Sequence, residues 1–201
     1  MSLMSEKRTQ GHIRLDGYAT SYLLSIIIRR MTSVSSSASG LRDTIKKGIG
    51  MITVEKSDPL SPDSRHLIEK LSAELAFITG DNGKSNFIID SVNEDRALWV
   101  LAKDSRGKPV GCGAIRPLTE NIAELKRMFS DRSFPGIGSA LLTFLETTAK
   151  SMGYNELWLE TRHINRKAVN FYKKNGYIRI ENYGPYVGRE EVVCFAKSLQ
   201  L

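Results

Sequence analysis

Metal-ligand and disulfide patterns are missing from this chain. It has two cysteines and three histidines in 201 residues. Cys112 and Cys194 lie in apolar, strand-like runs, with no His or acidic residue at ligand spacing around them. That argues against a metal site and a disulfide scaffold and predicts two reduced, buried thiols, as in a cytoplasmic protein. No base accompanies either thiol, so neither reads as a nucleophile. Long apolar runs are missing as well. The run at residues 22–28 holds seven residues, too few to cross a bilayer. Two arginines follow it and no small-residue cleavage site does, which reads against a signal peptide; Glu6 and Asp16 weigh against a transit peptide. Aromatic residues are not interleaved with the basic ones and no recognition helix stands out, so nucleic acid is not an expected partner. No internal repeat is present.

Charge of both signs is present but unevenly placed. The net charge is +7, and residues 1–50 hold eight Lys and Arg against three Asp and Glu, so +5 of it sits in the first quarter. The basic balance therefore says little about the partners of the remainder. The same quarter contains a Ser-rich, linker-like stretch at 32–40. Residues 1–50 read as an accessory extension, with Met51 a candidate native start, and residues 51–201 as the folded domain. At 41% hydrophobic and 25% charged the chain has an ordinary globular balance, and its length supports one domain with a real core.

From Met51 onward the pattern alternates between periods of two and of about 3.6. A short strand at 52–54 is followed by a helix opened by Ser61 and Pro62, a capping residue and a proline at the first helical position. Its apolar face is Leu67, Ile68, Leu71, Leu75 and Ile78, and the Gly80–Lys84 segment breaks it. Residues 86–92 fit either type. Strands are predicted at 97–103, 109–117 and 122–129, with a turn at 104–108. A helix at 139–152 ends at Gly153. A strand at 156–161, a short helix at 166–175 closed by Gly176, and strands at 177–181 and 191–198 complete the chain. Strand runs with interspersed helices predict an α/β or α+β domain built on a mixed sheet.

The stretch Ser133-Phe134-Pro135-Gly136-Ile137-Gly138-Ser139-Ala140 joins a predicted strand to a predicted helix. Helix-start amides point outward without partners, and the helix dipole favours an anion there. Glycine lets a phosphate approach without a Cβ in the way. The pattern therefore points to a phosphate-bearing, nucleotide-like ligand. The bland alternative is a loop with a helix start.

In order along the chain, Pro109-Val110-Gly111-Cys112-Gly113-Ala114-Ile115-Arg116, Ala123-Glu124-Leu125-Lys126-Arg127-Met128-Phe129, Gly136-Ile137-Gly138-Ser139-Ala140, Gly153-Tyr154-Asn155-Glu156-Leu157-Trp158 and Asn165-Arg166-Lys167-Ala168-Val169-Asn170-Phe171-Tyr172 resemble the third strand, fourth strand, pyrophosphate loop, fifth strand and final helix of the GNAT superfamily of N-acetyltransferases. Residues 183–188 with 194–197 resemble a subgroup of small bacterial members. The resemblance implies a GNAT-like, mostly antiparallel sheet of six or seven strands with helices on both faces. It implies acetyl-CoA as cosubstrate, an amine acceptor of a small molecule or protein, no metal and no membrane, and it leaves a homodimer open. The chain departs from the family's loop pattern: Ser133 stands where Gln or Arg is usual, and Pro135 precedes the first motif glycine. Backbone amides of Ile137, Gly138, Ser139 and Ala140 then carry the phosphate.

Acetyl transfer to an amine needs a neutral amine, a donor to the oxyanion and a proton for the leaving thiolate. The resemblance assigns the proton to Tyr172; the alternative is a core aromatic beside Phe171. Glu124 is the leading base, with an ordinary strand carboxylate paired with Lys126 or Arg127 as the equal alternative. Asn165 is expected near the cofactor's pantetheine or phosphate end and also suits the N-cap of the last helix. Met128 and Ser130 offer backbone groups to the pantetheine arm, Ser133 lies beside the phosphates, Tyr183 and Tyr186 line the acceptor pocket, and His163 is a second base candidate or a surface loop residue. A CoA-binding sensor without turnover is the competing function.

Overall fold

The computed structural model describes residues 52–83 and 95–200. The extension 1–50, Met51 as a start and the ambiguous segment 86–92 lie outside the described residues. Seven strands form one sheet: β1 (Thr53–Lys56), β2 (Leu98–Lys103), β3 (Pro109–Pro117), β4 (Ile122–Ser130), β5 (Glu156–Arg162), β6 (Ile178–Ile180) and β7 (Val192–Ser198). Their order is β1-β2-β3-β4-β5-β7-β6. Every neighbouring pair is antiparallel except β4 and β5. Three helices cover it: α1 (Pro62–Thr79), α2 (Ile137–Ser151) and α3 (Arg166–Lys174).

The helices start and stop where the local chemistry dictates. Ser61 accepts the Ser64 amide with its hydroxyl, Pro62 opens α1, and Gly80 ends it at φ 73°, a left-handed conformation that glycine adopts without strain. Leu67, Ile68 and Leu71 of α1 bury against Trp99, Leu101, Cys112, Ala114 and Phe129 on one sheet face. The Trp99 indole donates to Ser64 Oγ at 2.8 Å, which satisfies the one polar atom of that ring and pins α1. Leu141, Leu142, Leu145 and Ala149 of α2 fill the opposite face against Val100, Val110, Ile115 and Leu125. Each such leucine contributes roughly 1.5–3 kcal/mol by leaving water. Helices thus cover both faces, as the resemblance implies.

Two features of the sheet prepare the site. The β4–β5 pairing stops at Glu124 opposite Trp158. Beyond it the strands part, and the β4 edge toward β5 has no strand partner among the described residues. On its other side β4 carries a bulge: Cys112 pairs Phe129 and Ala114 pairs Lys126, so Arg127 and Met128 together oppose Gly113. Arg127 takes φ 52° to make the extra step, an uncommon conformation for a side-chain-bearing residue and the usual geometry by which a bulge re-aims a strand.

Candidate active site

Where β4 leaves β5 a cleft of about 290 Å³ opens. Its walls come from β4 (Lys126, Met128, Ser130), β5 (Glu160, Arg162), the C-terminal half of α1, the cleft-facing side of α3 with Tyr172, and Asn165 just before α3. Gly138, in the first turn of α2, closes one end.

That first turn is built for an anion. The helix begins at Ile137, two residues before the predicted start, with Gly136 as N-cap at φ 90° and no side chain capping it. Ile137, Gly138 and Ser139 donate their amides to nothing among the described residues, whereas the Ala140 amide bonds the Gly136 carbonyl at 2.9 Å. The expected role of Ala140 as a phosphate donor is thereby corrected: its N–H is the first internal bond of the helix. A Cβ at Gly138 would meet only the Phe171 ring, at 3.4 Å. The protein itself does not require glycine there, and the space left open lies over the free amides. Ser133 faces elsewhere; its hydroxyl and amide both bond Asp131 Oδ1, at 2.6 and 2.9 Å. Arg132, its neighbour, is ion-paired with Glu74 of α1. Both side chains are engaged by carboxylates, and the unpartnered groups at that turn are backbone amides.

Tyr172 borders the cleft and is 8% exposed. Its hydroxyl makes no hydrogen bond among the described residues. Burial, with a smaller effect from the charge of Glu160, pushes the phenol well above its ordinary range, so it holds its proton at neutral pH. Asn165 serves as the N-cap of α3, its Oδ1 accepting the Ala168 amide at 3.2 Å, and it also lines the cleft. Met128 and Ser130 line it too, and Ser130 Oγ accepts the Arg132 amide.

Glu124 is placed differently. It is fully buried and borders no part of the cleft. Arg116 grips its Oε2 through Nε at 2.8 Å and Nη2 at 2.7 Å. Tyr183 and Tyr186 donate to Oε1 at 2.9 and 3.2 Å, and Lys126 Nζ lies at 3.5 Å. Burial alone would raise its pKa, but the Lys126 and Arg116 charges and the hydrogen bonds from Arg116 and Tyr183 hold the carboxyl below its ordinary value. A group with both oxygens committed and no access to the cleft cannot meet an incoming amine. The ion-paired alternative therefore describes Glu124, with Lys126 but not Arg127 among its partners. Arg127 instead reaches Ser72 of α1 and the Gly83 carbonyl. Tyr183 and Tyr186 spend their hydroxyls on this network, and His163 sits on the surface with Nδ1 3.1 Å from the Glu191 carbonyl, away from the cleft.

A family pattern described as the acetyltransferase (GNAT) family matches residues 51–177. The chain belongs to the GNAT family. GNAT proteins are acyltransferases, and curated relatives carry N-acetyltransferase names. The IAA acetyltransferase of Azospirillum brasilense is 32% identical over 140 residues, 67% of this chain and 90% of that one. The uncharacterised N-acetyltransferase YjgM of Escherichia coli is 29% identical over 60% of this chain and 78% of its own. Among solved structures, one from Klebsiella pneumoniae assigned to the acyl-CoA N-acyltransferases superposes with a TM-score of 0.63 at 27% identity, over 75% of this chain and 99% of that one. A GNAT acetyltransferase of Elizabethkingia anophelis with acetyl-CoA bound superposes at 0.55 and 17% identity, over 73% and 97%, a likeness of fold.

Sequence reasoning on this GNAT chain missed Glu160 and Arg116, and it named Lys126 only as an ion partner of Glu124. A signal for Glu160 was present: Leu157 and Leu159 alternate into the core, so Trp158 and Glu160 must face the other way. Extending the parallel register two residues past Glu124 and Trp158 sets Lys126 beside Glu160.

Proposed function

We propose that this chain is an acetyl-CoA-dependent N-acetyltransferase acting on a primary amine of a small molecule or protein. The observation that carries the reading is the set of three unpartnered amides at Ile137, Gly138 and Ser139, at the end of a cleft whose other wall holds a protonated Tyr172. Residues of this set fit acetyl-CoA. The amides and the dipole of α2 take the pyrophosphate. The strand edge of β4 beyond Glu124 offers backbone groups to the pantetheine arm, near Met128 and Ser130, and an amide to the thioester carbonyl. Asn165 borders the same path. Bound acetyl-CoA supplies an acyl carbon open to attack by an amine; Tyr172 supplies the proton that the leaving sulfur takes. Two buried thiols agree with a reducing, cytoplasmic setting.

The experiment measures acetyl-CoA binding by calorimetry, then CoA release over a panel of small amines and lysine peptides with a thiol reagent. The protein's own thiols do not interfere, because burial pushes Cys112 up to about 12 and also raises Cys194. Binding with turnover is expected, and Tyr172→Phe lowers kcat about 100-fold or more while binding persists. Tight binding with no release on any amine, unchanged by Tyr172→Phe, would select the sensor reading instead.

A further inference from the structure

We propose that Glu160 is the carboxylate that takes the acceptor's proton, and that Lys126 and Glu124 are the positioning residues that hold it. This rests on the N-acetyltransferase reading above. Glu160 borders the cleft with its side chain 20% exposed, against none of Glu124. Among the described residues it has one polar partner, Lys126 Nζ at 3.4 Å from Oε1, and its Oε2 bonds nothing. The other carboxylates of the cleft are held by cations and backbone: Glu74 by Arg132, and Asp81 by Arg162 and the Gly83 amide. Glu160 also stands where the two parallel strands part, the point toward which a thioester would reach from the amides of α2.

Lys126 is what fixes Glu160 there. Its side chain is 6% exposed and its ammonium donates to Tyr186 at 2.8 Å, while Glu124 and Glu160 flank it at 3.5 and 3.4 Å. Glu124, itself locked by Arg116 and two tyrosines, keeps that ammonium from turning fully onto Glu160. One Glu160 oxygen remains for the acceptor. The titratable and charged groups that act on Glu160 are Lys126 and Arg127 of β4, Tyr172 of α3, Tyr186 of the one-turn 3-10 helix Gly184–Tyr186, and Cys194 opposite it on β7.

The step balances. The acceptor attacks as a neutral amine, having shed one proton to solvent. Its nitrogen forms a bond to the acetyl carbon and the carbon–sulfur bond breaks. The proton from nitrogen goes to Glu160, and the sulfur takes the proton of Tyr172. Transfer of a proton from Glu160 back to Tyr172 through water resets the pair.

The test compares Glu160→Gln and Glu124→Gln in the full chain by acceptor kinetics across pH, with acetyl-CoA binding as the check on folding. Glu160→Gln is expected to lower kcat by about 100-fold or more, to leave acetyl-CoA affinity unchanged and to remove the steepening of log kcat/KM on the acid side of the profile. Glu124→Gln is expected to raise the acceptor KM and keep that steepening. If it does not fold, Tyr183→Phe, which removes one bond from the same carboxylate, takes its place. Glu160→Gln with near wild-type kcat and pH profile overturns the proposal alone, as does loss of the steepening in Glu124→Gln but not in Glu160→Gln. Wild-type protein that releases no CoA with any amine overturns the parent reading and this one together.

Discussion

Gly136 answers two demands with one residue. Its φ of 90° sets the turn into α2, and as N-cap it brings no side-chain bond to the three free amides. Gly136→Asp puts a carboxylate where the helix dipole and the phosphates meet, on a left-handed backbone that Asp and Asn both visit. We expect acetyl-CoA binding to vanish in calorimetry. Gly136→Asn, which tolerates the same backbone without the charge, is expected to retain measurable binding. Ser133→Ala should change affinity less than about twofold, since its hydroxyl is given to Asp131, and a loss beyond about tenfold (1.4 kcal/mol) would show that the side chain does bind phosphate. At this scale legibility was uneven. Gly136, Asn165 and Tyr172 could be placed from motif order, because local spacing fixes their positions on α2 and α3. Glu124 could not, because its role depends on Arg116 across a strand pair and on Tyr183 59 positions away, contacts that no local spacing encodes.

Elements were read better than their junctions. β3 was predicted at its observed bounds, and α1 begins where Ser61 and Pro62 announced it. What escaped was the bulge, since nothing in Lys126-Arg127-Met128 marks Arg127 for φ 52°; the sheet imposes it. Gly113 opposite is part of the same device, as a Cβ there would come 2.7 Å from Met128 Sδ and 2.9 Å from a Leu145 methyl. Gly111 is tighter still. Its missing Cβ would lie 2.7 Å from the Phe129 carbonyl and under 3 Å from Ile137 and Leu141. The glycine is what lets the first turns of α2 sit down on β3. Because a backbone atom stands in the way, Gly111→Ala forces the strand pair or the helix to move. We expect a loss of about 1–3 kcal/mol by denaturant unfolding, together with weaker acetyl-CoA binding as the amides of α2 shift. Full stability with normal binding would mean that α2 is seated by its leucines alone.

Across the whole molecule, chain order and alternation are enough to find the GNAT architecture, while the charge network that ties its parts together is a tertiary property. That network makes stability depend on acidity. Asp81, Asp104, Glu124 and Glu191 all have carboxyls held below their ordinary values in the folded chain: Asp81 and Asp104 mainly by backbone amides at Gly83 and Lys108, Glu191 by its own amide and Arg189, and Glu124 by Lys126 and Arg116 against the opposing effect of burial. A depressed folded pKa means that the unfolded chain binds protons first as pH falls. The stability is therefore fully present above the unfolded carboxylate range and is lost as pH drops below about 4.5 and through the folded values. Tm should hold steady from neutrality to about pH 5 and fall steeply toward about pH 3. Glu124 contributes through the core of the fold. Removing one member of a buried, hydrogen-bonded ion network leaves its partners uncompensated, a loss of about 3–5 kcal/mol, so Glu124→Gln should melt well below wild type at neutral pH. In acid the wild type protonates the same carboxyl and loses the same interaction, so the two melting curves should draw together as pH falls through the folded value of Glu124. Curves that stay parallel across the range would mean that Glu124 is not ionised in the native protein, and Arg116 and Lys126 would then need another counter-charge.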